Sequence, residues 1–174
     1  MSRGNSFSII IPVHNEEPFL RKSVLNLIEE IKSKKSLTPF NYEIILIENG
    51  SADRSFWECQ DLKKRYSFIK TYQLNFASYG QALKKGIFKA RYPLVVVFNV
   101  DFWDINFLEK GLKLIKTHDL VIASKTLIPG DDQRPLNRRL ATYFFNLFLK
   151  VAFKFPGTDT HGLKVMKKEK ILPL

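Results

Sequence analysis

The stretch Leu94-Val95-Val96-Val97-Phe98-Asn99-Val100-Asp101 decides how this chain is read. It is an uninterrupted apolar run, rich in β-branched residues, that ends in a carboxamide and a carboxylate two positions apart. Such a run is too short to span a membrane and reads as a strand buried on both faces of a parallel sheet. Side chains alternate along a strand, so Asn99 and Asp101 are expected to point the same way where the strand leaves the sheet. That carboxyl edge is where open α/β sheets bind ligands. Two oxygen-bearing side chains there suit a hard divalent cation that holds a diphosphate. On this stretch alone a plainer reading stands beside it, in which Asp101 starts a turn or caps the next segment.

The flanking sequence repeats the pattern. Phe7 to Val13 reads as a strand stopped by Pro12, and Asn15-Glu16-Glu17-Pro18 as the start of a helix with Asn15 as its cap. Phe19, Leu20, Val24, Leu27, Ile28 and Ile31 then fall at helical spacing. Tyr42 to Ile47 is a second buried strand, and Glu48-Asn49-Gly50-Ser51-Ala52-Asp53 the turn at its end. Asp53 or Ser51 can cap a helix running to roughly Tyr66. Phe68 to Leu74, shorter and more polar, reads as a strand near an edge. Ser78 to Ala90 reads as a helix with Ala82, Leu83, Ile87 and Phe88 inward, where Gly80 and Gly86 would let it approach a ligand or the sheet. A helix over Asn106 to Lys116 and a strand over Leu120 to Ser124 follow. Strands alternating with helices imply right-handed βαβ units, hence an α/β fold with a doubly wound, mostly parallel sheet and helices on both faces.

A length of 174 residues suits one domain, 1–174, with a sizeable core. At 45% hydrophobic and 26% charged residues the composition is that of a globular protein, neither disordered nor membrane-spanning. Residues 1–8 lack the apolar core of a signal peptide and Cys59 is the only cysteine, so a cytoplasmic setting without disulfides is expected. The net charge of +11 predicts an anionic partner. From Arg134 onward, Arg138, Arg139, Lys150, Lys154, Lys164, Lys167, Lys168 and Lys170 face only Asp159 and Glu169, which directs that partner to the C-terminal part. Within it, residues 136–155 form an aromatic-rich basic segment. Two readings stay open for it: an interfacial membrane helix, or a helix packed on the sheet or on a second subunit of a homodimer.

Four stretches now stand in order: Ile11-Pro12-Val13-His14-Asn15-Glu16-Glu17, Glu48-Asn49-Gly50-Ser51-Ala52-Asp53, Asn99-Val100-Asp101, and Gly157-Thr158-Asp159-Thr160-His161-Gly162-Leu163-Lys164. Together they resemble a family 2 glycosyltransferase of the GT-A (Rossmann-like) fold, in the branch of polyprenyl-phosphate or dolichyl-phosphate mannose and glucose synthases. The resemblance implies transfer of a hexose, with inversion, from a nucleoside diphosphate sugar such as GDP-mannose or UDP-glucose to a polyprenyl phosphate, assisted by Mg2+ or Mn2+. It implies peripheral association with the cytoplasmic membrane face. For the nucleotide sugar it points to Pro12, His14, Asn15, Glu16, Glu48, Asn49, Gly50, Asp53, Gly80, Asn99 and Asp101; for the metal, to Asn99 and Asp101. Asp101, Arg134 and Arg138 take the catalytic roles. Arg134, Arg138, Arg139, Asp159, His161 and Lys164 fall on the acceptor-phosphate side. An acceptor phosphate is already anionic, so it attacks without a strong general base, which fits a chain with no obvious one.

Two departures qualify that pattern. The family's metal motif is usually Asp-x-Asp, whereas Asn99 stands first here and Trp103 occupies a place where the nearest branch often carries a metal-binding Gln. A carboxamide keeps an oxygen but removes a negative charge, so metal affinity should fall, with Asp104 a second-choice substitute. Family members also commonly continue past the counterpart of Lys164 with further acceptor-side structure. The alternative is therefore a catalytically weak sugar-nucleotide-binding homologue or fragment. A nucleic-acid module is favoured by charge alone, without a nucleic-acid motif. The Gly-rich phosphate loop of a sugar nucleotidyltransferase is absent after the first strand, where Pro12-Val13-His14-Asn15 stands.

Overall fold

The apolar runs become neighbouring strands because each can bury both faces only between layers of helix. The computed structural model describes residues 6–123 and 162–171. The chain divides into two compact units, Met1–Val121 with Lys164–Leu174 and Ile122–Leu163, and the architecture below is that of the first. In chain order the elements are β1 (Ser6–Val13), α1 (Leu20–Ser33), β2 (Asn41–Asn49), α2 (Ser55–Arg65), β3 (Ile69–Leu74), α3 (Tyr79–Lys89), β4 (Leu94–Val97), α4 (Ile105–Leu114), β5 (Leu120–Ile122) and β6 (Lys164–Lys167). The sheet order is β3-β2-β1-β4-β6-β5. β1 runs parallel to β2 and β4, and β2 to β3, while β6 is antiparallel to β4.

Alternation sorts the core into two faces. Ile10, Ile45, Val95, Val97 and Met166 point to one side and pack against Ala82 and Ala90 of the α3 segment. Gly86 of α3 takes the closest approach: a Cβ there would lie 2.5 Å from Ile10 Cγ2. On the opposite face, Ile9 is in register with Val96, and Val96 with Val165, against which Gly111 of α4 packs. Helices therefore cover both faces, as expected. β3 is an edge strand, also as read.

Several local expectations are corrected. Asn15 does not cap α1. It adopts a left-handed conformation at φ 56°, and α1 starts at Leu20 with no side-chain cap. Asn tolerates that backbone conformation as readily as it caps helices, so its letter does not separate the two. Phe88 points outward, 67% exposed, because α3 turns Ala82 and Gly86 to the sheet. A Cβ on Gly80 would meet nothing within 4 Å, so the close approach to the sheet belongs to Gly86. β4 ends at Val97, and Asn99 and Asp101 lie beyond it in irregular backbone, where strand alternation no longer aligns them. β6 was not anticipated: Lys164-Val165-Met166-Lys167 is a short strand with a lysine at each end.

Candidate functional site

The chain passes from β1 to β2 and β3 on one side of the sheet and returns with β4 on the other. A crevice is therefore expected between the carboxyl ends of β1 and β4. Pro12 marks its floor. β4 pairs with β1 through Ile10 and Val97, and Phe98 N–H reaches Ile10 O at 3.0 Å. Beyond that point the β4 side of β1 has no ladder partner, so a residue without an N–H costs nothing there.

The loop after β1 is joined to the loop after β2 by a mesh of hydrogen bonds. Asn15 N–H donates to Ser51 Oγ (3.1 Å), and Ala52 N–H to Asn15 Oδ1 (2.8 Å). Glu16 N–H donates to Ser55 Oγ (2.8 Å), and Glu17 N–H to Asp53 Oδ2 (3.0 Å). Arg54 N–H returns to Glu17 Oε2 (3.0 Å), and Asp53 Oδ1 accepts Ser55 N–H (2.9 Å). His14 Nδ1 lies 2.9 Å from the Asn49 carbonyl, which can only accept, so Nδ1 carries the proton. Nε2 then accepts from Asn15 Nδ2 at 3.2 Å. Burial raises the Asp53 carboxyl, but hydrogen bonds from the Ser55 side chain and from the Ser55 and Glu17 amides outweigh it and hold the group below its ordinary value. Asp53 thus accepts the first amide of α2 while also tying the loops, a double role that sequence reading had split.

Glu48 and Asn49 are buried at the end of β2. Glu48 Oε1 accepts Ser51 N–H at 2.5 Å, and its Oε2 has no partner among the described residues. Asn49 Oδ1 accepts Ser78 N–H (2.7 Å), which fixes the start of α3. Between them and Ser78 sits Gly50, at φ 66°, where a Cβ would come within 2.7–2.9 Å of the Phe76 and Ala77 backbone. Behind Glu48, the buried Cys59 thiol is pushed up to about 12 by burial and by the negative charges of Glu48, Glu58 and Asp53.

On the other wall, Asn99 N–H bonds to Phe102 O (3.1 Å), which closes a turn with Asp101 exposed near its tip. Tyr79 O–H donates to Asn99 Oδ1 at 3.3 Å. Burial and the charges of Asp101 and Asp53 raise the Glu16 carboxyl, against the opposing effect of His14. Asp104 also caps α4, its Oδ1 accepting Asn106 N–H (2.7 Å) and Phe107 N–H (3.2 Å). Trp103 is half-buried, and its indole N–H reaches Ser23 Oγ. The register of β6 puts Lys164 opposite Val97, at the end of β4 beside this turn. Gly80 is exposed at the start of α3. Arg134, Arg138, Arg139, Asp159, His161 and the segment 136–155 lie outside the described residues.

The model of glycosyl transferase family 2 matches residues 8–171. The chain belongs to that family. Among curated relatives, it is 27% identical over 167 residues to a dolichyl-phosphate beta-glucosyltransferase of Trichomonas vaginalis, covering 90% of this chain and 50% of that protein. It is 30% identical over 182 residues to a dolichyl-phosphate beta-glucosyltransferase of Dictyostelium discoideum, covering 93% and 54%. The chain thus spans about half the length of these relatives. Among solved structures, a mannosyltransferase from Pyrobaculum calidifontis in complex with GDP-Man and Mn2+ superposes with a TM-score of 0.65. It is 18% identical and covers 96% of this chain and 46% of that one. That likeness is one of fold, the GT-A arrangement of this family of transferases.

The family fold raises the question of a divalent cation. Among the described residues no group of three or more His, Cys, Asp or Glu side chains could hold one alone. The donor set still fits an ion shared with a substrate. Asp101 offers an exposed carboxylate, and Asn99 Oδ1 has a second lone pair beyond its bond from Tyr79. Mg2+ characteristically takes one or two carboxylates plus substrate phosphates rather than an all-protein cage. No helix among the described residues is long and apolar enough to cross a membrane.

Sequence reading missed Ser23, Ser55, Ser78 and Tyr79, which hold the loops by hydroxyl groups. Only Ser78, just before a helical pattern, carried a signal, and it was read inside the helix rather than as its cap.

Proposed function

We propose that this chain is the donor-binding part of an inverting glycosyltransferase that moves a hexose from a nucleoside diphosphate sugar to a polyprenyl (dolichyl-type) phosphate. The observation that carries the reading is the buried Glu48 carboxylate at the end of β2, whose Oε2 has no partner among the described residues, on the same carboxyl edge of the sheet beyond which the exposed Asp101 follows β4. The names of the dolichyl-phosphate beta-glucosyltransferase relatives support the acceptor class and a glucosyl donor, for which UDP-glucose is the candidate, and the GDP-Man complex of the fold neighbour keeps GDP-mannose beside it.

In this reading Pro12, His14, Asn15, Glu16, Glu48, Asn49, Gly50 and Asp53 form the nucleotide wall. Glu48 Oε2 accepts an N–H of the base, and the meshed loops hold that wall rigid. Asp101 and Asn99 are the residues that would hold Mg2+ or Mn2+. Such a cation, when bound, would supply positive charge to stabilise the departing diphosphate. Lys164, Asp159, His161, Arg134, Arg138 and Arg139 serve the acceptor phosphate, whose ionised oxygen attacks the anomeric carbon as its bond to the diphosphate breaks. The protein works at the cytoplasmic membrane face, with residues 136–155 as the membrane or dimer contact.

A second reading is favoured by Asn99. One carboxylate fewer weakens the cation site, as expected of a sugar-nucleotide-binding homologue with little turnover. Calorimetric titration of GDP-mannose, UDP-glucose and UDP-N-acetylglucosamine, each with and without Mn2+, tests both. Selective, manganese-enhanced binding that Asp101→Ala abolishes supports the donor site. Absence of binding by all of them, with the chain folded, sinks it. Binding without transfer to a polyprenyl phosphate in the full-length protein selects the second reading.

A further inference from the structure

We infer that Ser23 is a positioning residue for the Asp101 turn. It lies on α1, far from any motif, yet its hydroxyl touches the turn on both sides of Asp101. Ser23 Oγ–H donates to Val100 O at 2.5 Å, across 77 residues of sequence, and Oγ accepts Trp103 Nε1–H at 2.8 Å, across 80. A hydroxyl has one proton and two lone pairs, so a single group makes both bonds at once. The turn needs this support. β4 ends at Val97, the last sheet-type bond to β1 is made by Phe98, and beyond it Asn99 N–H closes the turn on Phe102 O while Tyr79 O–H holds Asn99 from α3, so the Val100 and Trp103 side is where Ser23 acts from α1. Without Ser23, Val100 O and the Trp103 indole would both lose a partner, and these are the bonds that hold the turn to α1 on either side of Asp101.

The location favours a role beyond filling space. Ser23, Val100 and Trp103 line a groove of about 470 Å³ between α1 and the turn, and Asp101 stands on its wall. Partners one step behind a ligand typically change metal affinity by about 10–100-fold when removed, because they fix the direction of the ligand. The inference rests on the reading that Asp101 holds a cation with a diphosphate.

The test compares the wild-type chain with Ser23→Ala and Ser23→Thr by two readouts. The first needs no ligand. The indole N–H resonance of Trp103, identified with Trp57→Phe, moves upfield and exchanges faster in Ser23→Ala, and returns in Ser23→Thr. The second is the calorimetric affinity for GDP, and in parallel UDP, with and without Mn2+. Ser23→Ala loses about tenfold of the manganese-dependent gain while its affinity without manganese stays as in the wild type, and Ser23→Thr recovers the gain. A merely structural role would lower both affinities alike, and that result overturns the inference. So does an unchanged indole resonance, or a full manganese gain in Ser23→Ala. A wild-type chain that shows no manganese gain overturns the donor-site reading itself and with it the role toward the cation; the indole resonance alone then decides whether the two hydrogen bonds exist.

Discussion

Gly50→Ala is the substitution whose cost can be worked most directly. Its backbone sits at φ 66°, where an L side chain costs about 1–2 kcal/mol. The new Cβ would also stand 2.7 Å from Phe76 C, 2.8 Å from Ala77 N and 2.9 Å from Phe76 Cα. These are backbone atoms, which cannot swing aside as a side chain would, so about 1–3 kcal/mol of overpacking adds to the strain. The sum, about 2–5 kcal/mol, is a large share of the roughly 5–15 kcal/mol that holds a typical domain. At a slope of about 2 kcal/mol per M, the urea midpoint followed by circular dichroism falls by about 1–2.5 M. The displaced backbone is the one that delivers Ser78 N–H to Asn49 Oδ1, so the start of α3 loosens as well. Gly80→Ala is the internal control. A Cβ there meets nothing within 4 Å, and helix propensity predicts a gain of up to about 1 kcal/mol. A Gly50→Ala midpoint equal to wild type, or a Gly80→Ala chain less stable than Gly50→Ala, refutes the reasoning.

Gly111→Ala brings a Cβ to 2.6 Å from Val165 Cγ2 and costs about 1–3 kcal/mol, and Val165→Ala relieves it, so a double-mutant cycle by urea unfolding gives a total well below the sum of the single costs. Asp53→Ala deprives the Glu17 and Ser55 amides of their acceptor and costs about 1–3 kcal/mol near neutral pH. Because the folded carboxyl titrates below its ordinary 3.8, its stabilisation is complete above that pH and is lost as pH falls through the folded value; the gap between wild type and Asp53→Ala in acid unfolding should narrow there. Cys59 works in the opposite sense. Its thiol ordinarily titrates at 9.0 but is pushed up to about 12 when folded, so the unfolded chain releases a proton that the folded one keeps, and stability declines between those values. Urea midpoints across that range should fall less steeply for Cys59→Ala than for wild type.

The strands were legible because a parallel sheet demands long apolar runs, and Phe7 to Val13, Tyr42 to Ile47 and Leu94 to Phe98 admit little else. The candidate site was placed where those runs end. What escaped reading was carried by short polar side chains with several competing uses. Asn15 could cap a helix or turn left-handed, and the Ser51 and Ala52 partners that decide between them lie 36 and 37 residues away. Asp104 also caps α4 through bonds from Asn106 and Phe107, a use that its place in the sequence does not separate from others. Ser23 sits among charged and apolar helix residues, and only the turn folded back on α1 gives its hydroxyl work. β6 escaped because four residues flanked by lysines carry too weak a periodicity to distinguish a strand from a loop.

The antiparallel β6 also sets an order of events during synthesis. β4 is bonded to β1 on one side and to β6 on the other, and β5 joins the sheet only through β6. A chain emerging from the ribosome can assemble β1 to β4 with their helices as soon as residue 97 is free. The far edge of β4 then stays bare until Lys164–Lys167 has been translated, some 67 residues later. Bare strand edges are templates for pairing with the wrong chain. The interval between those two strands is therefore the window in which a nascent chain of this protein most needs a chaperone, and slowing translation inside it should raise aggregation more than slowing it elsewhere.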